Sequence, residues 1–118
     1  MYKVEAKTNT GFIVKATTED FLYEMDKDKK LGTTPVGYVV VALSGCALMC
    51  VRGYYLRKGI KDIEIKSNLE YDGSFKFDIE IDKEITEVEA SEIKEYIKKY
   101  CTVSQMLNKE ISYKIIGK

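Results

Sequence analysis

Leu31–Val51, LGTTPVGYVVVALSGCALMCV, carries no charged side chain in a protein of which 32% is charged. Its reading decides the fold. Thr34 is a suitable N-cap and Pro35 a suitable first helical residue, because the missing proline N–H would have found no intrahelical partner at that position. The pattern predicts a helix from Pro35 to about Lys58. Gly59 then offers the left-handed stop, and Arg57 and Lys58 fall in the last turn, where the helix dipole favours cations.

An uncharged run of this kind raises the possibility of a membrane span. Spanning takes roughly 20 apolar residues, and fewer remain between Pro35 and Arg52, diluted by Gly37, Ser44 and Gly45. A single span here would also strand two β-patterned halves on opposite sides of a bilayer. A core helix is the better expectation. Because the helix is apolar on nearly all sides, a chain of 118 residues can hardly surround it alone, which argues for a homodimer in which two such helices bury each other.

Outward from this helix, Tyr2–Asp26 reads as a β-meander broken at Asn9-Thr10-Gly11 and Thr17-Thr18-Glu19-Asp20. Tyr2, Val4 and Ala6, and then Phe21, Tyr23 and Met25, are expected on a buried face. Asp26–Lys30 reads as a solvated charged loop. Beyond Gly59, alternation returns: Ile63, Ile65, Leu69 and Tyr71, a turn at Asp72-Gly73, then Phe75, Phe77, Ile79 and Ile81. The charged face of this hairpin is expected to be solvated. Thr86 and Glu89 form a capping box ahead of Ala90, Ile93, Ile97 and Tyr100 at helical spacing. Cys101–Leu107 reads as a break and a short helical turn, and Ile111, Tyr113 and Ile115 as a closing strand. The whole, 1–118, is expected to be one α+β domain.

Composition narrows the chemistry. Basic and acidic residues number 19 each, so no basic field exists to attract nucleic acid or an anionic membrane. The absence of histidine removes Ser-His and Cys-His catalysis and His-containing zinc sites. Cysteine, carboxylate and lysine chemistry remain. The charged, alternating N-terminus lacks a signal-peptide core, so a cytoplasmic location is expected, where three cysteines should be thiols. Cys46 and Cys50, at i and i+4, share a helix face, but their parallel side chains suit a disulfide poorly. Cys101 is the better partner for Cys46, at a junction where a helix N-terminus can lower a thiol pKa. Cys50 is expected to be a packing residue. Taken alone, the three cysteines are also compatible with inert small hydrophobes.

Two stretches resemble the OsmC/Ohr family of thiol peroxidases. The first is Thr34-Pro35 leading to the cysteine of Ala42-Leu43-Ser44-Gly45-Cys46-Ala47-Leu48-Met49; the second is Cys101-Thr102-Val103-Ser104-Gln105-Met106-Leu107 before a last strand. The family's counterparts are an Asn-Pro-Glu helix start, an Ala-Cys-Phe-like site and a Cys-Pro-Val-Ser motif. The order of elements is similar over nearly the whole chain. The resemblance implies an intertwined homodimer with a long buried central helix and sites at the subunit interface. It implies Cys46 as the peroxidatic and Cys101 as the resolving cysteine, organic hydroperoxides as substrates, an external dithiol as reductant and no cofactor.

The chain departs from the family at the activating ion pair. Val36, followed by Gly37, stands where the family's peroxidases carry glutamate after the proline, and no arginine precedes the helix. The only arginines are Arg52 and Arg57; Arg57 lies about 16 Å along the helix from Cys46. The resemblance therefore implies one of two functions: a hydroperoxide reductase, or a peroxidase-inactive dimeric ligand-binding or redox-sensing module.

Overall fold

The computed structural model describes residues 1–107 and 111–118, which form two units, Met1–Val39 and Val40–Lys118. The helix expected from Leu31–Val51 is present as α1 (Pro35–Arg57) and runs from the first unit into the second. Thr34 caps it, its Oγ1 accepting from the Gly37 N–H at 3.1 Å. Gly59 ends it in the left-handed region at φ +79°.

In the first unit, β1 (Glu5–Lys7), β2 (Ile13–Thr18) and β3 (Phe21–Asp26) form an antiparallel meander in sequence order. The β2–β3 turn sits where the sequence places it: Thr18 pairs with Phe21, and Glu19 and Asp20 both take positive φ, as a two-residue primed turn requires. The expected buried face is not formed within the chain. Tyr2, Val4, Phe21 and Tyr23 are all exposed, and the first strand is only three residues long. A three-stranded sheet needs a second layer to bury its apolar face, and Tyr38, edge-on to Tyr23, covers only a small part of it.

The charged loop also departs from expectation. Asp26 is buried, and its carboxylate accepts from the backbone N–H groups of Asp28 at 2.9 Å, Lys30 at 3.3 Å and Leu31 at 3.2 Å. Rather than a solvated turn, the segment is a knot tied by one carboxylate. At its end Gly32 runs so close to the Glu24 carbonyl that a Cβ would collide with it. The same carbonyl accepts from Tyr38 Oη at 2.6 Å, tethering the first turns of α1 to β3.

The second unit holds the core. A hairpin of β4 (Ile65–Tyr71) and β5 (Phe75–Ile81) is closed by Asp72, Gly73 and Ser74, with Gly73 at φ +106°. After α2 (Glu87–Tyr100) and the short α3 (Thr102–Leu107), β6 (Ile111–Gly117) returns parallel to β5, giving the order β4-β5-β6. Phe75, Phe77, Ile79 and Ile81 face inward and Lys76, Asp78 and Glu80 outward, so β5 shows the clean alternation of a half-covered strand. They pack with Leu43, Ala47, Val51, Tyr54 and Tyr55 of α1, Ile93 and Ile97 of α2, and Tyr113 and Ile115 of β6.

Only that one stripe of α1 is buried in the single chain. Val36, Val41 and Met49 remain exposed, Val41 at 61% and Met49 at 76%. The helix is long and apolar enough to cross a membrane by length and composition, but its buried stripe is that of a core helix lying on a sheet. The expected burial on all sides would take surface that this chain does not supply.

The capping box forms in part. The Glu89 N–H donates to Thr86 Oγ1 at 3.1 Å, but the Glu89 carboxylate turns inward to Tyr55 Oη at 2.6 Å and Lys83 Nζ at 3.0 Å.

Candidate active site

Helix periodicity puts Cys46 and Cys50 one turn apart on the flank of the buried Leu43–Ala47–Val51 stripe, where both are half-buried against the core. Cys101 arrives from the other side of the sequence. It ends α2, its N–H donating to the Ile97 carbonyl at 2.8 Å, and it opens α3, its carbonyl accepting from the Gln105 N–H at 3.2 Å and from Ser104 Oγ at 2.9 Å. Two helix ends thus fix one cysteine, and its side chain is fully buried.

The three thiols are all free; Cys101 lies in the core and Cys46 and Cys50 pack against it, close enough that Cys101 and Cys46 help raise the Cys50 pKa and Cys46 that of Cys101. Cys46 and Cys101, the pair singled out in the sequence, thus belong to the same core. Cys50, expected only to pack, packs and also joins the cluster. Its spacing from Cys46 was the signal, since an i+4 residue must share whatever Cys46 faces.

Burial governs the electrostatics. It pushes the Cys50 thiol up to about 12, with the neighbouring Cys101 and Cys46 sulfurs adding to the shift. Burial also pushes the Cys101 thiol above its ordinary value, outweighing contacts from the Ser104 backbone and hydroxyl that favour the thiolate. This reverses the expectation that a helix N-terminus would lower it. A single turn of helix offers a weak dipole, and desolvation of a fully enclosed sulfur exceeds it.

Neither arginine serves the cluster. Arg52 donates to the Lys61 carbonyl at 3.0 Å, and Arg57 lies over the rings of Tyr96 and Tyr100 at 5.4 and 5.5 Å. Val36, at the position of the expected carboxylate, is exposed. Among the described residues, no group of three or more histidine, cysteine, aspartate or glutamate side chains has the arrangement to hold a metal ion.

One neighbour of the thiols escaped sequence reasoning. Tyr113, on β6, stacks on Phe77 with ring centroids 5.6 Å apart. Burial pushes its hydroxyl up to about 12, with Cys101, Cys50 and Cys46 adding to the shift and Ser104 opposing it. Alternation along the last strand marks Tyr113 as inward-facing, but nothing in that pattern says what lies opposite. The depression on the other face of the sheet, between Asn68, Glu70, Lys76, Asp78, Ser112 and Lys114, is lined by charges of both signs and by none of the thiols.

Residues 26–116 match the family model described as OsmC-like protein. No curated protein sequence matches the chain significantly. Among solved structures, the chain is similar to an OsmC-like protein from Mycoplasma pneumoniae, with 17% identity, a TM-score of 0.78 and coverage of 99% of this chain and 96% of that one. It is similar to the organic hydroperoxide resistance protein OhrB of Bacillus subtilis, at 16% identity and TM-score 0.66, covering 100% and 98%. An organic hydroperoxide resistance protein OsmC from Legionella pneumophila aligns at 14% identity and TM-score 0.63, covering 99% and 96%. At these identities the structural likeness shows the α+β fold alone, but the family model spans most of the chain, and by that match the protein belongs to the OsmC-like family.

Proposed function

We propose that the protein is a thiol-dependent reductase of organic hydroperoxides acting through Cys46 and Cys101. The observation that carries this reading is that a half-exposed cysteine on α1 packs against the same core that encloses the cysteine at the α2–α3 junction. The Cys46 thiolate attacks the terminal peroxide oxygen; the O–O bond breaks, an alkoxide leaves, and Cys46 becomes a sulfenic acid. Cys101 sulfur then displaces hydroxide to form a disulfide, which an external dithiol reduces by two-electron exchange. No cofactor enters this cycle. The apolar surroundings suit an alkyl or aryl hydroperoxide better than hydrogen peroxide.

The reading includes a homodimer in the cytoplasm, away from membrane and nucleic acid. Exposed apolar side chains on α1 and on the β1–β3 sheet support the dimer, since a large exposed apolar area is typical of an interaction surface.

A second reading is a family member without peroxidase activity, serving as a ligand-binding or redox-sensing module. The engagement of Arg52 with the Lys61 carbonyl and of Arg57 with the Tyr96 and Tyr100 rings favours it. One experiment separates the two. Reduced protein is mixed with one equivalent of cumene hydroperoxide, and peroxide loss and the Cys46–Cys101 disulfide are followed by mass spectrometry, with Cys46→Ser as control. Turnover with a dithiol present, abolished in the control, supports the reductase; its absence in the wild type leaves the second reading.

A further inference from the structure

Four of the nine tyrosines stand in one row across α1 and α2. Tyr55 meets Tyr54 edge-on with ring centroids 5.1 Å apart, Tyr54 meets Tyr96 at 5.7 Å, and Tyr96 lies 4.6 Å from Tyr100. The row runs from full burial at Tyr55, through Tyr54 at 7% exposure, to Tyr100 at 42%. Each ring has a cation over it: Lys83 on Tyr55, Lys58 on Tyr54, Arg57 on both Tyr96 and Tyr100, and Lys99 on Tyr100 as well. At the inner end both hydroxyls are bound to carboxylates, Tyr54 Oη donating to Glu92 Oε1 at 3.0 Å and Tyr55 Oη to Glu89 Oε2 at 2.6 Å.

Packing accounts for aromatic rings in contact, but not for this division of their hydroxyls. A phenol gives up an electron readily only when its proton leaves with it, and a cation over the ring makes a retained positive charge costlier still. The two inner rings each hold a proton acceptor; among the described residues, Tyr96 and Tyr100 donate to no carboxylate. Oxidation is therefore easiest at the buried end of the row, and access is easiest at the exposed end. Tyrosine is also the most oxidisable aromatic residue available, because the chain has no tryptophan.

We propose that Tyr100, Tyr96 and Tyr54 form a radical relay, which quenches organic oxyl radicals at the surface and stores the oxidation on Tyr54 and Tyr55 against their carboxylate partners. The activity is a one-electron one, uses neither Cys46 nor Cys101, and stands apart from the two-electron thiol cycle. An alkoxyl radical takes the phenolic hydrogen atom of Tyr100 and leaves as alcohol. Tyr96 gives an electron to the Tyr100 radical, which takes a proton from water, and Tyr96 releases its own proton to water. Tyr54 then reduces the Tyr96 radical in the same way, but its proton passes to Glu92. Tyr55 can follow, with Glu89 as acceptor. An ascorbate-like donor later returns one electron along the row, and the carboxylate returns the proton. Held in the core, the tyrosyl radical is kept from coupling with that of a second molecule.

The test injects the oxidation from the exposed end. Azide radicals generated by pulse radiolysis remove one electron from exposed tyrosines of the reduced protein, and the tyrosyl radicals are followed by absorbance and by freeze-quench EPR. The wild type should show two populations: one that decays by bimolecular dityrosine coupling, and one that persists independently of protein concentration and carries the EPR signature of a hydrogen-bonded phenoxyl. Tyr96→Phe keeps the ring against Tyr100 but cannot be oxidised in turn, so it should lose the persistent population and gain dityrosine at Tyr100. Tyr100→Phe, at the surface, should lose the persistent population as well. Tyr71→Phe, an exposed tyrosine outside the row that packs on Phe75, should keep it. A wild type without a persistent radical, or a persistent radical undiminished in Tyr96→Phe, overturns the relay.

Discussion

Tyr55 Oη donates a 2.6 Å hydrogen bond to Glu89 Oε2, joining the buried stripe of α1 to the first turn of α2. Tyr55 is fully buried, and Lys83 Nζ donates to the same carboxylate oxygen at 3.0 Å and to Oε1 at 3.4 Å. A hydrogen bond to a charged acceptor contributes about 1.5–3 kcal/mol. Tyr55→Phe is expected to lower unfolding stability in urea by about that amount, and Glu89→Ala by at least as much because it leaves a buried hydroxyl unmatched. The double variant should lose less than the sum, since the two substitutions remove one shared interaction. Simple additivity would mean that the bond contributes nothing.

The same carboxylate sets part of the acid response. Burial pushes Glu89 up, but the Tyr55 and Lys83 hydrogen bonds prevail and hold it below the ordinary carboxylate value. A depressed folded-state pKa means that the unfolded chain takes up the proton first as pH falls. The contribution is therefore complete above about pH 4.3, the usual glutamate value, and is lost as pH falls through the lower folded-state value. Glu89→Gln should flatten the stability profile across that window. An unchanged slope between pH 5 and 3 would show that Glu89 does not contribute to it.

How much of this was legible in the sequence depends on whether the deciding contact was local. The start of α1 at Thr34-Pro35, its stop at Gly59, the turn at Asp72-Gly73 and the β5 alternation were all readable, because caps, turns and pleats are settled by residues a few positions apart. The pairing of Cys46 with Cys101 was suggested by the helix junction at Cys101 and then by resemblance, not by spacing. Glu89 looked like half of a capping box, and the pull of Tyr55, thirty-four positions away, could not be read from its neighbours. Tyr113 was visible only as an inward-facing residue. For Cys101 the local rule pointed the wrong way, because the helix end is local and the burial that overrides it is not.

The Cys50 thiol offers a direct test of that burial. With its pKa pushed up to about 12, first by burial and then by the Cys101 and Cys46 sulfurs, it should be almost wholly protonated at neutral pH. In a Cys46→Ser, Cys101→Ser variant, which removes the sulfur contributions and keeps the burial, iodoacetamide labelling of Cys50 should rise about tenfold per pH unit from 7 to 9. A plateau near pH 8.5, where an ordinary free thiol is half ionised, would contradict the enclosed position.

Asp26 ties the loop between β3 and α1 through three backbone N–H groups. The Asp28 N–H is the main influence holding its carboxyl below the ordinary aspartate value; burial opposes this, and the Leu31 and Lys30 N–H groups and the Lys30 charge assist it. Its stabilisation is thus present above the ordinary aspartate pKa and lost as pH falls through the depressed one. Asp26→Ala should speed amide hydrogen exchange at Asp28, Lys30 and Leu31 by at least tenfold at neutral pH, with little change at Phe77 or Ile79 in β5 of the second unit. Unaltered exchange in the loop would mean that the carboxylate follows the loop's shape rather than fixing it.

The apolar surface of α1 carries the last expectation. Val41 and Met49 are exposed on a helix whose other stripe is already buried, and each would contribute about 1.5–3 kcal/mol on full burial against a partner. If two copies cover this surface, sedimentation at micromolar concentration should give a dimer for the wild type, and Val41→Glu with Met49→Lys should shift it toward monomer or aggregate. Circular dichroism of the variant at low concentration shows whether the second unit still folds, because the core of Leu43, Phe77 and Ile97 does not include either position. A stable, soluble wild-type monomer at that concentration would remove the dimer. It would also require the apolar face of α1 to be explained as a binding surface for some other partner.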